Sequence, residues 1–144
     1  MTDKYAVIGN PIDFSKSPFI HMNFAKSTAQ DIEYTKILGP LDGFKETVDR
    51  LRSEGGQGIN ITAPFKLDAF QYATKRSPAA ELAGAANALS FFGDEVIAEN
   101  FDGVGLVRDV VHNLKHQLKN KRVLLLGAGG AARDCRDYHD AFAR

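Results

Sequence analysis

Asn60, Thr62 and Lys66 stand together in NITAPFK, residues 60–66, where a β-branched run ends at a proline. A simple strand-to-helix junction needs no such set of polar groups. Three further polar stretches have the same character: Ser15-Lys16-Ser17-Pro18, Asn87, and Asn100 with Asp102. Amides and hydroxyls of this kind hold a polyhydroxylated ligand. A lysine beside an aspartate can move a proton, because the pair shares the change of charge. Each residue also has a plain structural alternative. Ser15 and Ser17 serve as helix caps, Asn60 and Thr62 satisfy loop backbone, Lys66 is a solvated helix-start lysine, and Asp102 caps the helix that follows it. His21 reads as a helix residue with a satisfied ring rather than as a base.

A second signal lies in LLLGAGGAA, Leu124 to Ala132. Gly127, Gly129 and Ala132 match G-x-G-x-x-G/A directly after an apolar run. In a dinucleotide loop the first glycine allows the tight turn and the second lets backbone approach a pyrophosphate. The small third residue lets helix and strand pack closely. The alternative is a glycine-rich turn that binds nothing. The residue that would choose between NAD and NADP, about 20 positions further on, falls beyond Arg144.

Positioning these groups requires alternating elements. Tyr5 to Ile8 reads as a buried strand stopped by Gly9, Asn10 and Pro11. Ser17-Pro18 reads as an N-cap and first helical residue, with Phe19, Ile20, Met22 and Phe24 as that helix's apolar face. Ile32 to Leu38 is a second strand. Leu41, Phe44, Val48 and Leu51 have helical spacing, and Gly55-Gly56 ends the helix. Gly58 to Thr62 is a third strand, followed by helical segments over 66–75 and 78–83. Ala88 to Phe92 and Glu95 to Ala98 form a hairpin at Gly93-Asp94. Val104, Val107, Val110, Val111, Leu114 and Leu118 make a long helical stripe, and Arg122 to Leu126 a further strand. The order predicts an α/β fold: a substrate-binding domain with a mainly parallel sheet, then the first strand and loop of an incomplete Rossmann domain. Ligands bind such sheets at the ends of their parallel strands.

The 144 residues suffice for one ordinary domain. Eighteen Lys+Arg balance eighteen Asp+Glu, which offers no overall footprint for nucleic acid or an anionic membrane. The one cysteine, Cys135, has no partner for an internal disulfide or a metal site, and fits a reducing, cytoplasmic setting. The N-terminus breaks before a signal-peptide core forms, and no apolar stretch is long enough to span a bilayer.

The blocks GNPIDFSKSPFIH, GINITAPFK, ELAGAANAL, ENFDGVGL and LLLGAGGAAR, in this order and spacing, resemble shikimate dehydrogenase from about the N-terminus to Arg133. The resemblance implies NADP-dependent, reversible reduction of 3-dehydroshikimate to shikimate in aromatic amino acid biosynthesis. It assigns Ser15, Ser17, Asn60, Thr62 and Asn87 to substrate binding, and Lys66 and Asp102 to both substrate binding and catalysis. Gly127, Ala128, Gly129, Gly130 and Ala131 fall on the cofactor phosphate loop, with no metal. The implied domains are a substrate-binding domain over 1–101, a connecting helix over 102–120, and the start of an NADP-binding domain over 121–144. The expected partners are the small-molecule substrate and a second copy in a homodimer, without nucleic acid or membrane.

The chain departs from the family pattern in four places. Phe101 and Ala88 stand where threonines are usual, Pro78 stands where an acidic residue is common, and RDCRDYHDAFAR after Ala132 has a poor apolar stripe. The last departure carries the expectation of a truncated or frame-shifted product. Such a product keeps the substrate domain without turnover. A quinate/shikimate dehydrogenase and a small α/β binding module resembling the family only by descent are the remaining alternatives.

Overall fold

Alternation along the first strand sets the layers. In β1 (Asp3–Gly9), Ala6 and Ile8 face one side of the sheet and Tyr5 and Val7 the other. The computed structural model describes residues 2–127 and residue 129. After β1 come α1 (Ser17–Thr28), β2 (Ile32–Leu38), α2 (Phe44–Ser53), β3 (Gly56–Ile61), α3 (Lys66–Tyr72), β4 (Lys75–Arg76), α4 (Pro78–Ala83), β5 (Ala88–Phe92), β6 (Glu95–Glu99) and α5 (Asp102–Arg108). A π-helical turn, Asp109–Asn113, continues α5.

Among the described residues the strands form one sheet in the order β2-β1-β3-β5-β6-β4. β1 pairs parallel with β2 and β3, and β6 pairs parallel with β4. β5 is antiparallel to both its neighbours, so every other strand runs the same way. The ends of β1, β3 and β6 and the start of β5 therefore share one edge. The main core joins Ile8, Val48, Phe65, Leu89 and Val96, all fully buried or nearly so, with the small residues Ala69, Ala80 and Ala98. A full burial such as that of Phe65 contributes about 2–3 kcal/mol. Val7, Ile12 and Tyr34 form a smaller cluster on the opposite face.

Several expected elements differ. Ser17 is the first residue of α1 rather than its cap, and Lys16 holds the cap position. The inward row of α1 is Ser17, His21 and Ala25, spaced by four. Phe19, Ile20, Met22 and Phe24 lie off that row and are exposed. Residues 73–75 leave the helix expected over 66–75: Thr74 exchanges hydrogen bonds with Val96, and β4 joins the sheet. The stripe running to Leu118 buries only Val107 of its side chains, and the helix ends after the π turn. Arg122 to Leu126 is not a strand. It pairs with nothing among the described residues, and Leu124 and Leu126 are exposed. Apolar side chains alone do not make a strand, which needs a neighbour for its backbone donors and acceptors.

Candidate active site

The sheet edge gathers the expected residues around one cavity of about 480 Å³. Its lining includes Ser15, Ser17, Asn60, Thr62, Lys66, Asn87 and Asp102. The larger cleft, about 660 Å³, runs along α2 and α3 and contains none of them.

Lys66 opens α3, and its ammonium lies 2.5 Å from Asp102 Oδ2. Both side chains keep just over a quarter of their surface exposed, which leaves the pair accessible to a ligand. An ion pair so exposed adds only about 1 kcal/mol or less to folding. Its value lies in placement. Asn87 Nδ2 donates to Asp102 Oδ1 at 2.8 Å, so both carboxylate oxygens are held. Asn87 Oδ1 accepts the Phe101 backbone N–H at 3.1 Å. Asn87 thus acts as a bracket on Asp102 as well as a lining residue. The bond from residue 101 uses backbone alone, so the phenylalanine found there leaves it intact. Ala88, the second departure, pairs with Asn60 and Glu99 as an ordinary strand residue.

Asn100 completes the support and was not singled out for this role by sequence. It is almost fully buried. Its Nδ2 donates to Ala85 O, and its Oδ1 accepts the Asp102 backbone N–H, both at 3.0 Å. Asp102 is the first residue of α5 rather than its cap. The backbone ties the same segments together: Ala86 N–H donates to Lys66 O, Asn87 N–H to Glu99 O, and Ile61 N–H to Asn87 O.

Thr62 follows β3 directly, and its N–H donates to Ile8 O. Its methyl packs so closely on Gly9 that a Cβ there would sit 2.4 Å from it. Its hydroxyl lines the cavity without a hydrogen-bond partner among the described residues. The Asn10–Pro11 and Ala63–Pro64 peptides beside it are both cis. Ser15 Oγ donates to Ser17 Oγ at 3.2 Å and accepts the Ser17 backbone N–H, so Ser15 supplies the local turn bond, and both serines line the cavity.

Tyr34 and His21 are the other residues that sequence reasoning did not assign to the site. Tyr34 O–H donates to Asn60 Oδ1 at 2.6 Å. The His21 ring stacks on Tyr34, with centroids 4.4 Å apart and planes 7° from parallel. Burial raises the Tyr34 phenol above its ordinary value, and the Ser17 hydroxyl pulls it the other way. Burial lowers the His21 imidazole below its ordinary value. The α1 row of Ser17 and His21, spaced by four and facing β2, was the available signal.

Of the glycine loop, Gly127 and Gly129 are described, while Ala128, Gly130 and Ala131 lie outside the described residues. Gly127 has φ of +125°, a backbone that side chains with a Cβ rarely adopt. Among the described residues nothing stands within 4 Å of a Cβ placed at Gly127 or Gly129. Among the described residues no group of His, Cys, Asp and Glu could hold a metal ion, and no helix is long and apolar enough to cross a membrane.

Fold and cavity together define an α/β domain with a polar cavity at the edge of a largely parallel sheet, beside a lysine–aspartate ion pair. The chain belongs to the family of the shikimate dehydrogenase substrate binding domain, whose sequence model matches residues 7–89. It is 55% identical over 131 residues to shikimate dehydrogenase (NADP(+)) of Aromatoleum aromaticum, covering 91% of this chain and 47% of that protein. The structure of an Ael1 enzyme from Pseudomonas putida superposes with a TM-score of 0.93 at 55% identity, covering 98% of this chain and 52% of that one. Shikimate 5-dehydrogenase from Listeria monocytogenes, solved with shikimate and NAD, gives a TM-score of 0.85 at 29% identity, covering 96% and 47%. The chain spans about half the length of the relatives it matches.

Proposed function

We propose that this chain provides the substrate side of an NADP-dependent shikimate dehydrogenase, which interconverts 3-dehydroshikimate and shikimate on the route to aromatic amino acids. The observation that carries this reading is the Lys66–Asp102 pair, 2.5 Å apart, in a cavity otherwise lined by hydroxyl and amide groups. Ser15, Ser17, Asn60 and Thr62 hold the ring hydroxyls and the carboxylate. Asn87 keeps Asp102 in place and offers its remaining N–H to the ligand. Lys66 gives a proton to the carbonyl oxygen as it becomes a hydroxyl and recovers it in the reverse direction. Asp102 holds the ammonium in line with that oxygen and accepts from the hydroxyl.

NADP, the cofactor in the names of the closely similar relatives, would supply the hydride. Gly127 to Ala131 would hold its phosphates through backbone N–H groups. The domain reading is a substrate domain over 1–101, a connecting helix over 102–120, and the start of the cofactor domain from 121. A cytoplasmic location, a homodimer, and no nucleic-acid or membrane partner belong to the same proposal.

A second reading, substrate binding without turnover, is supported by Arg122–Leu126, which has no strand neighbour among the described residues. Two assays separate the readings: NADP reduction by shikimate followed by absorbance, and shikimate binding by calorimetry, each against Lys66→Ala. Lysine-dependent turnover supports the first reading. Binding without turnover supports the second, and absence of both overturns the assignment of this cavity.

A further inference from the structure

Asn60 lies between two fixed partners. One end of its amide meets the Tyr34 hydroxyl, and the other meets the Asn87 backbone carbonyl at 3.5 Å. That carbonyl only accepts, and it already receives the Ile61 N–H at 2.8 Å. The Asn60 amino group must therefore face Asn87, and its carbonyl oxygen must face Tyr34. Only a donor at Tyr34 satisfies this orientation. A flipped Asn60 would set oxygen against oxygen at Asn87.

We propose that Tyr34 and His21 are positioning residues of this site: the stacked His21 ring holds Tyr34, and the Tyr34 hydroxyl locks the Asn60 amide so that it offers the cavity an N–H donor. The lock selects a ligand that places an acceptor oxygen at Asn60 and disfavours one that places only a donor there. Both residues act through Asn60 rather than on the ligand directly. The position of His21 supports the role. The ring lines both the main cavity and an adjoining one of about 230 Å³, so the stack is the wall against which Tyr34 rests. The identity of the ligand rests on the proposed function, whereas the orientation of the amide does not.

The test uses the full chain and its Tyr34→Phe variant. The side-chain amide resonances of Asn60, assigned by their loss in Asn60→Asp, report the lock. Shikimate titration by calorimetry reports its consequence. In Tyr34→Phe the Asn60 amide pair shifts or broadens while the backbone spectrum stays native, and shikimate affinity falls about five- to tenfold, the loss of one neutral hydrogen bond. An unmoved Asn60 pair overturns the proposal, and so does a moved pair with unchanged affinity. Should Tyr34→Phe not fold, His21→Ala must move the same pair, and no movement there is equally fatal. If the unmodified chain binds no shikimate, the proposed function fails, and the amide resonances alone then decide the lock.

Discussion

Replacing Asn100 by alanine removes a support that touches no ligand, and its effect can be worked from two hydrogen bonds. Asn100 is about 1% exposed and joins Ala85 O to the Asp102 N–H, each at 3.0 Å. Ala85 is itself buried, so its carbonyl is orphaned along with the N–H that starts α5. A buried orphan costs about 1–3 kcal/mol, so two cost about 2–6 kcal/mol. With a urea slope of about 2 kcal/mol per M, the unfolding midpoint falls by about 1–3 M. A domain stable by about 10 kcal/mol, the middle of the usual range, stays folded in buffer, so shikimate titration remains possible and is expected to show weaker binding as Asp102 loosens. Asn100→Asp sharpens the argument. A carboxylate at this position would face the Ala85 carbonyl without a proton, so the unpaired group takes one up more readily when folded than when unfolded. Its folded pKa is raised, and its destabilisation is smaller near pH 5 than near pH 8. The reasoning is refuted if Asn100→Ala lies within about 0.5 kcal/mol of the parent chain, or if Asn100→Asp is equally damaging at both pH values.

Gly9→Ala would place a Cβ 2.4 Å from Thr62 Cγ2 and 3.3 Å from Ala63 O. Thr62 must turn or shift, with an expected loss of about 1–3 kcal/mol in urea unfolding and weaker shikimate binding by calorimetry. Lys66→Ala and Asp102→Asn should each change stability by about 1 kcal/mol or less while lowering any turnover at least about a hundredfold. A double-mutant cycle on stability gives a coupling no larger than that, and several kcal/mol would contradict the exposed geometry. His21 is held below 6.5 by burial, so the unfolded chain takes its proton first. Stability from this group is present above about pH 6.5 and is lost as pH falls through the lower folded value. Urea midpoints at successive pH values should show a shallower loss between pH 7 and 5 in His21→Phe than in the parent chain.

The parts legible in sequence were those specified by local chemistry. Ser77 caps α4 through the Ala80 N–H, with Pro78 next to it, and the helix runs over the expected residues. Gly93, with φ of +61°, marks the hairpin between β5 and β6. The spacing of Asn60, Thr62 and Lys66 identified the cavity because those positions straddle the end of β3 and the start of α3. What stayed hidden depends on contacts far apart in the chain. Tyr34 looks like an ordinary strand residue until β2 lies beside β1 and brings it to Asn60, 26 positions away. Asn100 gains its role only when the loop containing Ala85 passes beside it. The apolar residues of α1 and of 110–126 misled for the reverse reason: periodicity names a face without naming what covers it.

The site depends on one strand running against the rest. Were β5 parallel to its neighbours, its start would lie at the far edge of the sheet and Asn87 would be distant from Asp102. Because β5 is antiparallel, Asn87 falls at the same edge as the ends of β3 and β6, and its backbone bonds to both Ile61 and Glu99. The hairpin register then decides whether Asn87 can bracket Asp102. A slip of one residue would move Asn87 by about 3.3 Å and turn alternate side chains to the other face. That displacement exceeds the 2.8 Å bond to the carboxylate, so the Asp102–Asn87 contact cannot survive it. The turn at Gly93, remote from the cavity, thereby helps set the geometry of the Lys66–Asp102 pair.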